Sequence, residues 1–114
     1  MLNTAAVISS VTSTPGDGQV ILQWNIDSET CPIEYYTLQY ELIRIDGCQD
    51  VNEGRVEPIT INMTDTSYNV TGLQTFATYS FYLTPYNVIG EGAEIRFENI
   101  TTNEQGKTRY CFHV

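Results

Sequence analysis

Basic side chains are scarce in this 114-residue chain, with five lysines and arginines against 14 aspartates and glutamates and a formal net charge of −9. So few cations cannot neutralise a row of phosphates, which excludes nucleic acid and anionic membrane as expected partners. The acids are spread along the chain rather than blocked, a pattern that serves solubility before function. Histidine is rarer still. The single one, His113, stands next to the last residue, so no serine or cysteine nucleophile is expected to have a plausible base. The cysteine spacings match no zinc pattern, and no metal is expected. No apolar run approaches the length of a membrane span. The Met1-Leu2-Asn3-Thr4 start lacks the basic and apolar stretches of a signal peptide, so a secreted form is expected to be cut from a longer precursor. Gly-rich phosphate loops are missing, and Asp46-Gly47-Cys48-Gln49-Asp50 is acidic without the ligand spacing of a calcium loop. The chain also lacks an Arg-Gly-Asp tripeptide. No catalytic residue, cofactor or metal is expected, and the chain is read as non-enzymatic.

What is present is alternation. The length gives one domain with one core. Eight tyrosines, beside four phenylalanines and one tryptophan, favour the half-buried surface of a pleated sheet. In residues 19–26, Val20, Leu22, Trp24 and Ile26 fall on one face; in residues 33–45, Tyr36, Leu38, Tyr40 and Leu42 do so. Tyr79, Phe81 and Leu83 alternate within residues 78–87. Weaker strands are predicted over 6–14, 56–63, 67–70 and 93–102, with Pro58 confining the second of these to a sheet edge. Pro15-Gly16-Asp17-Gly18 and the run from Asn87 to Gly92 are turn signals, and residues 46–54 read as loop. Seven short strands at near-regular spacing predict an all-β sandwich or barrel.

Two features indicate the compartment. Asn62-Met63-Thr64, Asn69-Val70-Thr71 and Asn99-Ile100-Thr101 are acceptor sequons for N-glycosylation. Three in so short a chain point to the eukaryotic secretory pathway and an extracellular or cell-surface location. Cysteines at 31, 48 and 111 suit that setting, with one left over from any single pair.

Several stretches together resemble the fibronectin type III family. Residues 14–24, Thr-Pro-Gly-Asp-Gly-Gln-Val-Ile-Leu-Gln-Trp, are similar to its first hairpin, ending on a core tryptophan. Pro32-Ile33-Glu34-Tyr35-Tyr36-Thr37-Leu38-Gln39-Tyr40 resembles its third strand. Tyr68-Asn69-Val70-Thr71-Gly72-Leu73 followed by Tyr79-Ser80-Phe81 is similar to the stretch carrying its tyrosine corner, and residues 87–92 to the turn between its last two strands. The resemblance implies a seven-stranded, two-sheet immunoglobulin-like sandwich over residues 6–102, with residues 1–5 as an extension and 103–114 as a tail. Trp24, Tyr36, Leu38, Tyr40, Leu73, Tyr79 and Phe81 then form the core, with the Tyr79 hydroxyl bonded back to the corner before it.

The resemblance further implies a module of a multidomain cell-surface receptor or of an adhesion or matrix protein. Its partners would be other proteins or neighbouring domains, with no insertion into the membrane by this segment. The alternative is a spacer domain of a secreted carbohydrate-active enzyme, which seldom carries cysteines or clustered sequons. Fold alone assigns no ligand. In the family's topology Tyr35, Tyr82 and Tyr86 share the outer face of one sheet as three exposed tyrosines, a candidate interaction face. Asn69 and Asn99 should point outward by alternation, Asn62 less firmly because its strand is weakest. In the same topology the run 33–45, at about 3.3 Å per residue, holds Cys31 and Cys48 roughly 40 Å apart. The last strand runs to the end that holds Cys48, so a Cys48–Cys111 disulfide is expected, with Cys31 odd.

Overall fold

The computed structural model describes residues 7–26, 32–45, 54–62 and 65–103. Within them the chain forms β1 (Ile8–Gly16), β2 (Gln19–Ile26), β3 (Ile33–Ile45), β4 (Ile59–Asn62), β5 (Ser67–Val70), β6 (Ala77–Asn87), β7 (Gly90–Glu91) and β8 (Ile95–Thr101). The pairings are antiparallel. One sheet has the order β1-β2-β5; the other runs β4-β3-β6, with β7 and β8 sharing the far side of β6. This is the two-sheet sandwich that the resemblance implies, with one element more than expected.

The extra element has a local cause. The return strand expected over 93–102 is split into β7 and β8, which pair with Tyr86–Asn87 and with Thr78–Leu83 respectively. The gap falls opposite Thr84 and Pro85, and proline has no N–H to give to a ladder. The Pro85 carbonyl still accepts the Gly92 N–H at 2.8 Å. A second difference lies at the first turn. Pro15 and Gly16 belong to β1, an edge strand that tolerates proline, so only Asp17 and Gly18 make the turn.

Alternation fills the space between the sheets. Cross-strand rows of Ile61, Tyr36 and Pro85, then Ile59, Leu38, Leu83 and Ile95, then Tyr40, Phe81 and Phe97 line the inner face of the larger sheet. Val20, Leu22 and Trp24 meet them from β2. Trp24 lies edge-on to Tyr36, ring centroids 5.2 Å apart at 69°, the orientation that ring quadrupoles favour. Trp24, Tyr36, Leu38, Leu73, Tyr79 and Phe81 are buried, and Tyr40 is partly buried against them. Val20, Leu22, Leu42, Leu83 and Phe97 are among the buried residues that complete this core.

One end of the sandwich is closed by backbone bonds between distant segments. Leu73 N–H donates to the Gly18 carbonyl at 2.9 Å, and Asn103 N–H to the Gly16 carbonyl at 2.9 Å. The Phe76 N–H reaches the Asn103 carbonyl at 3.2 Å. Buried Thr102 joins this set: its hydroxyl accepts from the Ala77 N–H at 3.0 Å and donates to the Gln74 carbonyl at 2.6 Å. The Tyr79 hydroxyl accepts from the Gln74 N–H at 2.9 Å, forming the tyrosine corner.

Candidate interaction face and family

The outer face of the larger sheet is built from the residues opposite in parity to its core rows. At the end carrying the β6–β7 turn, Asn62, Tyr35, Tyr86 and Glu91 stand in one row across β4, β3, β6 and β7. The Tyr35 and Tyr86 rings are stacked, with centroids 4.6 Å apart and planes 7° from parallel. The Tyr86 hydroxyl donates to Glu91 Oε1 at 2.9 Å, and that bond holds its proton above the ordinary tyrosine range. Tyr35 is exposed. Beyond the row, Val88 and Ile89 project from the turn, 72% and 50% exposed, the largest such pair among the described residues.

Further along the face stands Gln39-Tyr82-Arg96. Tyr82 departs from expectation: it is 8% exposed rather than open to solvent. Its cover is Arg55, whose guanidinium carbon lies 3.5 Å from the ring centroid, with the Arg96 guanidinium carbon at 5.6 Å. A cation over the negative face of a ring is attracted by its quadrupole. Glu94 holds Arg55 there through two bonds of 2.9 and 3.3 Å, which push the guanidinium pKa up. The Tyr82 hydroxyl donates to Glu41; this bond, followed by burial, raises the Tyr82 pKa. Gln39 ties the Arg55 segment down by donating to the Val56 carbonyl at 3.1 Å. Three tyrosines do share the face, but Tyr82 belongs to a packed charge cluster and only Tyr35 and Tyr86 remain near solvent. Arg55, Glu41 and Glu94 were not legible as its cover. Arg55 sits in a stretch with no period, and the bulge between Phe97 and Ile100 breaks the alternation that would place Arg96.

The three sequon asparagines are exposed. Asn62 lies on β4 and Asn69 on β5, both edge strands, and Asn99 on β8, which has no strand on its far side among the described residues. Asn69 donates to Gln19 Oε1 at 3.3 Å. Asn99 has φ 56°, in a bulge where Tyr79 and Phe81 oppose Ile100 and Phe97; asparagine tolerates that left-handed conformation better than most residues. Cys31, Cys48 and Cys111, and with them the expected disulfide, lie outside the described residues.

A cleft of about 340 Å³ opens where the Gly54–Val56 segment faces Leu73 and Gln74, floored by Tyr40, Leu42 and Tyr79. Among the described residues its lining has no carboxylate, histidine or thiol. No group of three or more His, Cys, Asp or Glu that could hold a metal occurs among the described residues. No helix among them is long and apolar enough to cross a membrane.

The solved structures most like this one include the fn3 domain of the human collagen alpha-1(XX) chain, with TM-score 0.67, 11% identity, and coverage of 93% of this chain and 91% of that one. The FN5 domain of Drosophila Lar gives TM-score 0.58 and 18% identity over 85% of this chain and 95% of that one. A structure described as a myokine gives 0.62 and 14% over 84% and 98%. At these identities the likeness is one of fold. A comparison with curated protein sequences returns no match. The family model of the fibronectin type III domain matches residues 8–102, from the first residue of β1 to the threonine that locks the corner, and the chain belongs to that family.

Proposed function

We propose that the chain is an extracellular fibronectin type III module of a multidomain cell-surface receptor or of an adhesion or matrix protein. In this reading it serves protein–protein interaction or spacing and catalyses nothing. The observation that supports this most is that Asn62, Asn69 and Asn99 are all exposed and all on strands at sheet borders, where a glycan can project without disturbing the core. The acidic balance supports a partner that is neither nucleic acid nor anionic lipid.

The Cys48–Cys111 bridge is part of the same proposal. Ile45, the last residue of β3, pairs with Ala77. Ala77 follows Phe76, which is bonded to Asn103. The segments leading to Cys48 and to Cys111 thus depart from one end of the sandwich. Ile33, two residues after Cys31 in the sequence, stands at the other.

Secretion from glycosylating cells, followed by peptide mapping without reduction, tests both points. Glycan on Asn69 and Asn99 and a Cys48–Cys111 peptide are expected. Absence of glycan from all three asparagines defeats the compartment; a bridge that includes Cys31 defeats the pairing.

A further inference from the structure

The row Asn62-Tyr35-Tyr86-Glu91 has an order that matters. Tyr86 is satisfied on one side by Glu91 and on the other by the Tyr35 ring. The 4.6 Å between ring centroids is close to the spacing of adjacent strands, about 4.7–4.9 Å. The ring normals therefore run across the strands, and the second face of Tyr35 is turned towards β4. The residue directly opposite Tyr35 on β4 is Asn62, and directly opposed residues have Cβ atoms about 4.5–5.5 Å apart. Tyr35 is 38% exposed, unusually open for an aromatic on a sheet face. A sequon asparagine is thus paired with the second face of a stacked tyrosine.

We propose that Asn62 carries an N-linked glycan whose first N-acetylglucosamine packs on Tyr35, so that the exposed aromatic row is a seat for the chain's own sugar. The proposal rests on the secretory reading above. In the transfer, Asn62 Nδ2 forms a bond to C1 of the first sugar of a lipid-pyrophosphate-linked oligosaccharide. The C1–oxygen bond breaks, the lipid pyrophosphate leaves with its electron pair, and Nδ2 gives up one proton. The pyranose then stands beside Tyr35, as a third layer after Tyr35 and Tyr86. One side of a pyranose ring presents several C–H bonds and no hydroxyl. Such C–H groups carry partial positive charge and pack on the negative face of an aromatic ring. Neither of the other sequons has this arrangement: Asn69 is opposite Ile21 on β2, and Asn99 sits in the β8 bulge.

A thermodynamic cycle on the secreted domain tests it. Thr64→Ala removes the sequon without touching Asn62, and Tyr35→Ala removes the platform. The glycan is expected to raise the melting temperature by about 3–5 °C when Tyr35 is present, the scale of about 1 kcal/mol in a domain of this size, and by less than about 1 °C in the Tyr35→Ala background. Equal stabilisation in both backgrounds overturns the proposal. Should Tyr35→Ala fail to fold, the wild-type glycoprotein still decides: nuclear Overhauser contacts between the first sugar and the Tyr35 ring are expected, and their absence is fatal. An unmodified Asn62 beside glycosylated Asn69 and Asn99 also overturns the proposal while sparing the compartment, and leaves the tyrosines to a protein partner. No glycan anywhere removes the secretory reading itself.

Discussion

The Tyr79 hydroxyl accepts the Gln74 amide hydrogen at 2.9 Å across the loop that joins the two sheets. Buried Thr102 accepts the Ala77 amide hydrogen at the end of that loop and returns a bond to the Gln74 carbonyl. Tyr79→Phe keeps the ring in the core and removes only the acceptor. It should cost about 1 kcal/mol in urea unfolding, the usual net worth of one hydrogen bond. Thr102→Val deletes bonds to two backbone groups and should cost more, about 2 kcal/mol. Equal losses, or none, would show that the loop is held by its backbone alone.

Gly18→Ala should be more damaging than its size suggests. Gly18 has φ +65°, and an added Cβ would stand 2.9 Å from the Leu73 carbonyl oxygen, a backbone atom. That residue's N–H also bonds the Gly18 carbonyl, so relieving the clash pulls on the same clasp. A left-handed non-glycine residue alone costs about 1–3 kcal/mol. The unfolding free energy from chemical denaturation should fall by an amount in or above that range, against a smaller change for Gly72→Ala. At Gly72 φ is also positive but nothing among the described residues lies within 4 Å of the added carbon.

Tyr36 and Trp24 make the opposite case. Neither the Tyr36 hydroxyl nor the indole N–H finds a partner of hydrogen-bond geometry among the described residues, although both atoms are buried. Burial is the first cause of the raised Tyr36 pKa. Taking such a hydroxyl out of water costs free energy, which the neighbouring Trp24 indole N–H, short of hydrogen-bond geometry, only partly offsets. Tyr36→Phe should therefore leave stability unchanged or raise it by up to about 1 kcal/mol. A loss above that figure would reveal a partner for the hydroxyl.

Alkaline pH should unfold the domain through its tyrosines. Tyr36, Tyr82 and Tyr86 all have pKa values raised above the ordinary 10.0 in the folded chain. Above that pH the unfolded chain releases these protons while the folded one still holds them. The stability they contribute is thus complete below about pH 10 and declines as pH rises towards the folded values. Tyr82→Phe should flatten the decline in equilibrium unfolding measured between about pH 9 and 11. It will also remove the bond to Glu41. An unchanged slope would mean that Glu41 does not hold that proton.

The sheets and the core were legible because period-two alternation places Tyr36, Leu38, Tyr79 and Phe81 on one face whatever lies around them. The same parity put Tyr35, Tyr82 and Tyr86 together on the other face. What it could not give was cover. Arg55 reaches Tyr82 from a segment without periodicity, and Glu94 fixes Arg55 from 39 residues away. Thr102 escaped notice for a related reason: its role depends on which loop carbonyl its hydroxyl meets, a matter of three-dimensional closure. Pro85 acts locally by contrast: its missing N–H accounts for the split between β7 and β8.

The bond from Asn103 to Gly16 joins the end of β1 to the point just past β8. Ile8 stands at the far end of β1, about 26 Å away along the strand. The described chain therefore enters at one end of the sandwich and leaves at the other. A pull applied between those points would run along β1 and β8 rather than across them. The β1–β2 and β6–β8 ladders would then be loaded in shear, with many inter-strand bonds sharing the force at once, instead of being unzipped one by one.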